Sequence, residues 1–114
     1  MFENISVKEA IRLAMAGQAW LLDIREQESY QEGHLPTAIW VEEAKVRDYM
    51  KEEPQILKIL YCDFGNQSMR LARELGEEGF PVASIVGGYH VYEGYIEKKK
   101  DEFWTMEWKT NRHF

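Results

Sequence analysis

The 114-residue sequence has few residues of several kinds, and each shortage narrows what the protein can be. One cysteine, Cys62, leaves no partner for an internal disulfide, and three separated histidines offer no metal-ligand spacing. Basic residues are not in excess: 14 Lys and Arg stand against 20 Asp and Glu, a net charge of −6. We therefore expect no metal, no cofactor and no nucleic-acid partner, because no broad basic surface is available to neutralise phosphates.

Long hydrophobic runs are also missing. No apolar segment approaches the length of a membrane span, and the first residues, Met1-Phe2-Glu3-Asn4, lack the basic segment that opens a signal peptide. We expect a cytoplasmic protein with no membrane partner, in a reducing compartment where a free thiol persists. The chain does hold 45% hydrophobic and 13% aromatic residues, which is enough to build the core of one domain.

Segments with strand character alternate with segments of helical character along the chain. The helical segments have an apolar stripe, a cap or a breaker at their ends, and the strands are short apolar runs. The predicted helices lie at 7–16, 42–53, 68–78 and 89–99, with a turn and short helix at 25–33, and the predicted strands lie at 19–24, 38–41, 56–61 and 82–86. This alternation predicts an α/β fold with three layers, α/β/α, and a mainly parallel central sheet.

A change of composition marks residues 101–114, which hold two phenylalanines and the pair Trp104 and Trp108. The two tryptophans are four residues apart, so one helical turn would align them. We predict one domain over residues 1–100, followed by an aromatic C-terminal tail that packs on the domain or lies at an oligomer contact. A monomer and a weak homodimer both agree with this prediction.

Cys62 lies between a predicted strand and a predicted helix, which a short polar loop joins. A strand, a tight loop and a helix gather backbone N–H groups and a helix N-terminus around one point. A thiolate at that point is stabilised and reactive, so Cys62 is the catalytic candidate. The substrate-binding candidates are the loop residues, Asp63, Phe64, Gly65, Asn66, Gln67 and Ser68. Gly65 permits a left-handed turn, and Ser68 is predicted to cap the following helix.

Three segments resemble signature motifs of the rhodanese family, in the same order and at matching spacing. The first is Asp23-Ile24-Arg25 with Tyr30 and Gly33-His34-Leu35-Pro36-Thr37-Ala38, similar to D-x-R-x4-Y-x2-G-H-I-P-G-A. The second is Tyr61-Cys62 with Gly65 and Ser68, similar to Y-C-x-x-G-x-R-S. The third is Val86-Gly87-Gly88 with Tyr92, similar to G-G-x3-W. The resemblance covers roughly Ser6 to Tyr95.

The resemblance implies a single-domain, rhodanese-like sulfurtransferase. In such an enzyme the Cys62 thiolate would take a sulfane sulfur from thiosulfate or a persulfide donor, and the persulfide would pass it to a thiol, cyanide or a protein acceptor. The loop amides and the helix dipole would favour the thiolate and the anion attached to it. We interpret Asp23, Arg25 and His34 as residues that tie the loops near the site together by hydrogen bonds, not as groups that touch the substrate.

The loop departs from the family pattern mainly in its charge. Gln67 stands where the resemblance implies an arginine, and Asp63 adds an anion beside the thiol. A negative charge there disfavours an anionic donor, so we expect weak thiosulfate:cyanide activity and a preference for a protein persulfide or another donor. Thr37 and Tyr92 replace the implied glycine and tryptophan, and the fold is expected to tolerate both.

Other functions use a loop of the same kind. A dual-specificity phosphatase needs an arginine six residues after its cysteine to bind phosphate through two hydrogen bonds. That position is Ser68 here and the loop is one residue short, which disfavours both a phosphatase and an arsenate reductase. The open alternative is a non-catalytic rhodanese-like binding or redox-regulatory module, in which Cys62 is inert or only sensitive to oxidation.

Overall fold

A computed structural model of the chain describes residues 2–98 and has the predicted α/β architecture. The strands are β1 (Phe2–Ile5), β2 (Ala19–Asp23), β3 (Ile39–Trp40), β4 (Leu57–Tyr61) and β5 (Val82–Ile85). The helices are α1 (Val7–Met15), α2 (Gln27–Glu32), α3 (Val46–Lys51), α4 (Asn66–Glu77) and α5 (88–98), with a 3₁₀ turn at Glu43–Lys45. No helix within residues 2–98 has the length and apolar composition that a bilayer crossing requires.

All five strands belong to one parallel sheet in the order β1-β5-β4-β2-β3. β4 is the central strand, paired with β2 from Leu57 to Tyr61 on one side and with β5 from Lys58 to Leu60 on the other. Because parallel strands point the same way, their carboxyl ends meet at one edge of the sheet, and ligands in open α/β sheets bind outside that edge. Cys62 directly follows β4 at the centre of this edge.

Side chains on the two faces of the sheet enter two separate clusters. Leu21 and Ile59 face α1 and α5, whereas their neighbours Leu22 and Leu60 face α3 and α4. This alternation follows the two-residue period of a strand, and both faces are covered, so the sheet is the middle layer of three. The predicted three-layer α/β/α class with a parallel central sheet is confirmed.

A fully buried lysine lies within β4. Lys58 is 0% exposed, and its Nζ donates to the carbonyl oxygens of Glu52 at 2.6 Å and Glu53 at 2.5 Å. These carbonyls follow the end of α3, where backbone oxygens have no partner within the helix. Burial lowers the pKa of Lys58 from its ordinary value, and the charges of Glu53 and Glu52 oppose that change. The ammonium group therefore joins α3 to the central strand.

The structure corrects the sequence prediction at three places. It adds β1, which pairs with β5, whereas the sequence predicts no strand before residue 6. The helix predicted at 42–53 is divided into the 3₁₀ turn and α3. Ser68 is not a cap: α4 begins at Asn66, and Gly65 is its N-cap residue. The predicted tail at 101–114 lies outside the described residues.

Candidate active site

Cys62 is 3% exposed and directs its sulfur toward the first turn of α4. Its Sγ accepts hydrogen bonds from the backbone N–H of Gly65 at 3.2 Å and of Ser68 at 3.3 Å. Gly65 caps a twelve-residue helix, so the positive end of the helix dipole adds to the two donors. The arrangement stabilises negative charge on the sulfur.

A left-handed glycine makes the approach of the loop to the sulfur possible. Gly65 has φ 99°, a conformation that L side chains rarely adopt, and a Cβ there would lie 3.1 Å from the backbone nitrogen of Gly87. With this turn, the chain reverses between Cys62 and α4 and brings the backbone N–H groups of Gly65 and Ser68 back to Sγ. The predicted role of Gly65 in the loop is consistent with this geometry.

The first turn of α5 holds the other side of the loop. The backbone N–H of Tyr89 donates to the carbonyl oxygen of Cys62 at 2.8 Å, and that of His90 donates to Asp63 at 3.0 Å. Gly88 has φ 63°, and a Cβ on it would lie 2.4 Å from the Cys62 carbonyl oxygen. The double glycine that begins the third motif is therefore needed for α5 to approach the cysteine backbone this closely.

Two buried hydroxyl groups lie behind the sulfur. Ser68 Oγ is 3.5 Å from Cys62 Sγ, 3.3 Å from the carbonyl oxygen of Gly65 and 2.8 Å from Ser84 Oγ. The sequence prediction includes Ser68 but misses Ser84, which lies in β5. The signal that could have found it is a serine within an otherwise apolar, fully buried strand, Val82-Ala83-Ser84-Ile85.

Asp23 and Arg25 form a buried ion pair beside the site, with side chains 0% and 3% exposed. Arg25 Nη2 donates to Asp23 Oδ2 and to the carbonyl oxygen of Gly33, both at 2.7 Å, and its guanidinium lies 3.8 Å from the centre of the Tyr89 ring. Burial opposes the charge on Arg25, but the hydrogen bonds and charge of Asp23 outweigh it and raise the pKa of Arg25. This cation is already neutralised and connects the end of β2 to α2 and α5.

Tyr61, the residue before Cys62, belongs to the same network and lies on the opposite face of the sheet from Cys62. Its hydroxyl accepts a hydrogen bond from the backbone N–H of Leu35 at 3.2 Å. Burial, and after it the hydrogen bond and charge of Asp23, raise the pKa of Tyr61 far above the ordinary value. The phenol therefore stays neutral and anchors the loop that contains His34.

The contacts of His34 do not include Cys62. His34 is exposed, its Nδ1 lies 2.9 Å from the carbonyl oxygen of Tyr30, and its ring stacks on that of Tyr30 at 4.0 Å. It lines a different pocket of about 350 Å³ with Tyr89, Tyr92 and Glu93. These contacts do not connect His34 to Cys62, so they give His34 no role as a base for the Cys62 thiol.

A pocket of about 200 Å³ opens onto the sulfur. It is lined by Cys62, Asp63, Phe64, Asn66 and Gln67. Phe64 is 67% exposed, and its ring lies 5.4 Å from that of His90. The structure thus brings the predicted loop residues together: Gly65 and Ser68 hold the sulfur from behind, and the other four surround the entrance.

Carboxylates border this entrance. Asp63 also lines a neighbouring pocket of about 370 Å³ together with Glu32, Glu93 and the paired cation Arg25. On the other side, Glu43 accepts hydrogen bonds from Gln67 at 3.0 Å and from Arg70 at 3.4 Å. Arg25 and Arg70 are each paired with a carboxylate, so the charges at this entrance disfavour anions relative to neutral or cationic molecules.

Comparisons with known proteins agree with this geometry. A sequence model of the family described as Rhodanese-like domain matches residues 6–94. The chain is 33% identical over 100 residues to the thiosulfate sulfurtransferase GlpE of Coxiella burnetii, an alignment that covers 83% of this chain and 91% of that protein.

Two solved structures share the fold. A rhodanese-related protein from Thermoplasma volcanium superposes with a TM-score of 0.70 at 18% identity, over 82% of this chain and 92% of that one. The reduced CoADR-RHD of Bacillus anthracis superposes with a TM-score of 0.69 at 26% identity, over 80% of this chain. The match covers 16% of the Bacillus chain, so this protein corresponds to a small part of it.

Proposed function

The chain belongs to the rhodanese-like family, and on that premise we propose that it is a sulfurtransferase that carries a sulfane sulfur as a persulfide on Cys62. The identity to a thiosulfate sulfurtransferase supports this activity at the level of the family. The observation that carries the proposal for this chain is the pair of backbone donors, Gly65 and Ser68, on Sγ at the N-terminus of α4. An inert buried cysteine needs no such donors.

The proposed reaction consists of two displacements at sulfur. In the first, the Cys62 thiolate attacks the outer sulfur of the donor, a new S–S bond forms, and the electron pair of the broken bond leaves with sulfite or a thiolate. In the second, the acceptor attacks the outer sulfur, and the electron pair of the broken bond returns to Sγ. The amides of Gly65 and Ser68 stabilise the charge on Sγ before the first step and after the second.

The charges at the entrance support a preference among donors. Thiosulfate is an anion, and Asp63 lines the pocket that it would enter. The cations Arg25 and Arg70 are each paired with a carboxylate. We therefore propose that a neutral or cationic persulfide, including one on a protein, is a better donor than thiosulfate, with a thiol, cyanide or a protein as acceptor.

The proposed compartment is the cytoplasm, because a reducing environment keeps a free thiol available. Cys62 is a free cysteine in the structure. The proposed domain covers residues 1–100, and the monomer or weak homodimer stays a prediction.

Intact-mass measurement tests the proposal. The reduced full chain is incubated with thiosulfate or with the persulfide of cysteamine, whose ammonium group offsets the charge of the persulfide, and its mass is recorded before and after cyanide. We expect a gain of one sulfur atom that cyanide removes and that the Cys62→Ser variant does not show. No gain with either donor would overturn the transferase and favour the non-catalytic binding or regulatory module.

A further inference from the structure

The hydroxyl groups of Ser84 and Ser68 form a buried chain of hydrogen bonds that ends at the sulfur of Cys62. The distances are 2.8 Å between the two Oγ atoms and 3.5 Å from Ser68 Oγ to Sγ. Ser84 is 1% exposed and Ser68 is 0% exposed, so bulk solvent does not compete for either hydroxyl. The chain crosses from β5 to the loop that follows β4.

The surroundings determine the direction of the chain. Among the described residues, Ser84 Oγ has one hydrogen-bond partner, which is Ser68 Oγ. Ser68 Oγ can donate to the carbonyl oxygen of Gly65 at 3.3 Å, and it accepts the S–H of Cys62 at 3.5 Å while Cys62 is a thiol. When Cys62 is ionised it has no S–H, and Sγ becomes a second acceptor for the Ser68 proton. If Ser68 donated to Ser84, the proton of Ser84 would be buried without an acceptor, which is costly. Ser84 is therefore the donor, and the proton of Ser68 points toward Gly65 or the sulfur.

Charge on the sulfur decides between these two acceptors. A hydrogen bond to an ionised acceptor is about twice as strong as one between neutral groups. When Cys62 is a thiolate, the Ser68 proton turns to Sγ, and donation from Ser84 polarises that bond and strengthens it.

We propose that Ser84 is a positioning residue, which directs the Ser68 hydroxyl to the Cys62 thiolate and to the charge that develops on Sγ during sulfur release. The inference deepens the proposed function and rests on it for the release step. In that step the acceptor thiolate attacks the outer sulfur, the bond between the outer sulfur and Sγ breaks, and its electron pair becomes the Cys62 thiolate. No proton is gained or lost, and the hydroxyl chain stabilises the charge where it appears.

The position of Ser84 in the sheet suits this role. It pairs with Leu60 of β4 on one side and with Asn4 of β1 on the other. Because ladders of hydrogen bonds hold β5 on both sides, Ser84 Oγ has a fixed place relative to the end of β4. A hydroxyl held in that way positions Ser68 without a cost in conformational freedom at the moment of reaction.

The first measurement is transfer of sulfur from persulfidated Cys62 to 2-mercaptoethanol in a single turnover. Ser84→Ala is expected to slow this transfer by about 3- to 10-fold, and Ser84→Thr, which retains a hydroxyl, to restore it. Adding Ser84→Ala to Ser68→Ala is expected to have no further effect, because the second serine acts through the first.

The second measurement is the rate at which iodoacetamide alkylates Cys62 as a function of pH. Ser84→Ala is expected to move this profile to higher pH, because the thiolate loses part of its stabilisation. Val82→Ala is the matched control: it removes methyl groups from the same strand, so it lowers the free energy of unfolding but leaves the profile unchanged.

The two measurements separate the inference from the proposed function. If the wild type forms no persulfide, the proposed function fails, while the alkylation profile still tests the hydroxyl chain. An unchanged profile in Ser84→Ala, or effects of the two serine variants that add, would overturn the inference. An equal shift of the alkylation profile in Val82→Ala would also overturn it, because the shift would then result from the lower free energy of unfolding and not from the lost hydroxyl group.

Discussion

Gln67 donates a hydrogen bond from its side-chain amide to Oε1 of Glu43, 3.0 Å away. The loop position at which the rhodanese resemblance implies an arginine therefore holds a neutral side chain bound to a carboxylate. Glu43 belongs to the 3₁₀ turn before α3, so an element distant in sequence sets the charge beside the sulfur pocket. A cation at position 67 would therefore form an ion pair with Glu43 and would be less available to bind an anionic substrate.

The first prediction restores the implied cation. Gln67→Arg is expected to lower KM for thiosulfate by about 2- to 5-fold, and Gln67→Arg with Glu43→Gln by more, because the second change releases the guanidinium. Steady-state thiosulfate:cyanide kinetics at low ionic strength measure the change, which added salt should reduce. Gln55→Arg, on an exposed loop before β4, is the control. If Gln67→Arg and the double variant have the same KM for thiosulfate as the wild type, the missing cation at position 67 does not limit thiosulfate binding.

The second prediction removes the anion from the pocket. Asp63→Asn is expected to raise kcat/KM for thiosulfate by about 2- to 10-fold, because the repulsion between the carboxylate and the donor disappears. Turnover with an uncharged persulfide donor should change little. Glu77→Gln removes the same charge at the far end of α4 and serves as the control. Thiosulfate turnover that is the same with Asp or Asn at position 63 contradicts the electrostatic argument.

The third prediction concerns Thr37, which stands where the resemblance implies glycine. Its φ is 69°, in the left-handed region, which costs a residue with a Cβ about 1–2 kcal/mol. Thr37→Gly is expected to raise the free energy of unfolding by about 0.5–1 kcal/mol, after the flexibility of glycine in the unfolded chain is subtracted. Urea unfolding measures the change, and Thr37→Ala should gain less. A glycine variant less stable than the wild type would mean that contacts of Thr37 outweigh its backbone strain.

The fourth prediction concerns the buried ammonium group of Lys58. Lys58→Met keeps the length of the side chain but removes the ammonium donor from the carbonyl oxygens of Glu52 and Glu53, of which Glu53 keeps the backbone N–H of Ile56. It is expected to lower the free energy of unfolding at pH 7 by about 1–3 kcal/mol. Lys58→Arg should not restore it, because a planar guanidinium does not fit between carbonyls that hold a single nitrogen.

Lys58 also makes the free energy of unfolding depend on pH, and the direction follows from its lowered pKa. Burial lowers the pKa of Lys58 in the folded state, so below pH 10.5 the unfolded chain binds the proton more tightly. Stability therefore rises as pH increases toward 10.5, and the advantage of the wild type over Lys58→Met should widen in that range. Urea unfolding at several alkaline pH values measures it. A narrowing difference would mean that the carbonyl oxygens hold the ammonium group more strongly than burial opposes it.

The fold could be predicted from the sequence because its signals are local. Apolar runs alternate with amphipathic segments, and Cys62 follows the strand at 57–61 directly. β1 could not be predicted: Phe2-Glu3-Asn4-Ile5 is short and half polar, and its pairing with β5 joins segments about 80 residues apart. Contacts of that range leave no periodicity in the sequence.

In the candidate site, too, some features have a local sequence signal and others depend on contacts between distant segments. The pairing of Asp23 with Arg25 follows from their spacing across the end of one strand, whereas the ring of Tyr89 over the guanidinium depends on how α5 returns to the sheet. Ser84 and the contact of Gln67 with Glu43 depend on packing between elements. The sequence predicts Ser68 as a cap because serine favours that position, but α4 begins two residues earlier, at Asn66, after the turn at Gly65.

The segment from Cys62 to Ser68, which contains the loop after β4 and the first residues of α4, has both buried and exposed residues. Cys62, Gly65 and Ser68 are buried, whereas Asp63, Phe64, Asn66 and Gln67 are exposed. Substitutions at exposed positions usually change stability little, so these four can vary at small cost to folding. If the proposed function holds, a lineage can therefore exchange one sulfur donor for another by point mutations at the surface, while descendants inherit the buried residues around Cys62 unchanged.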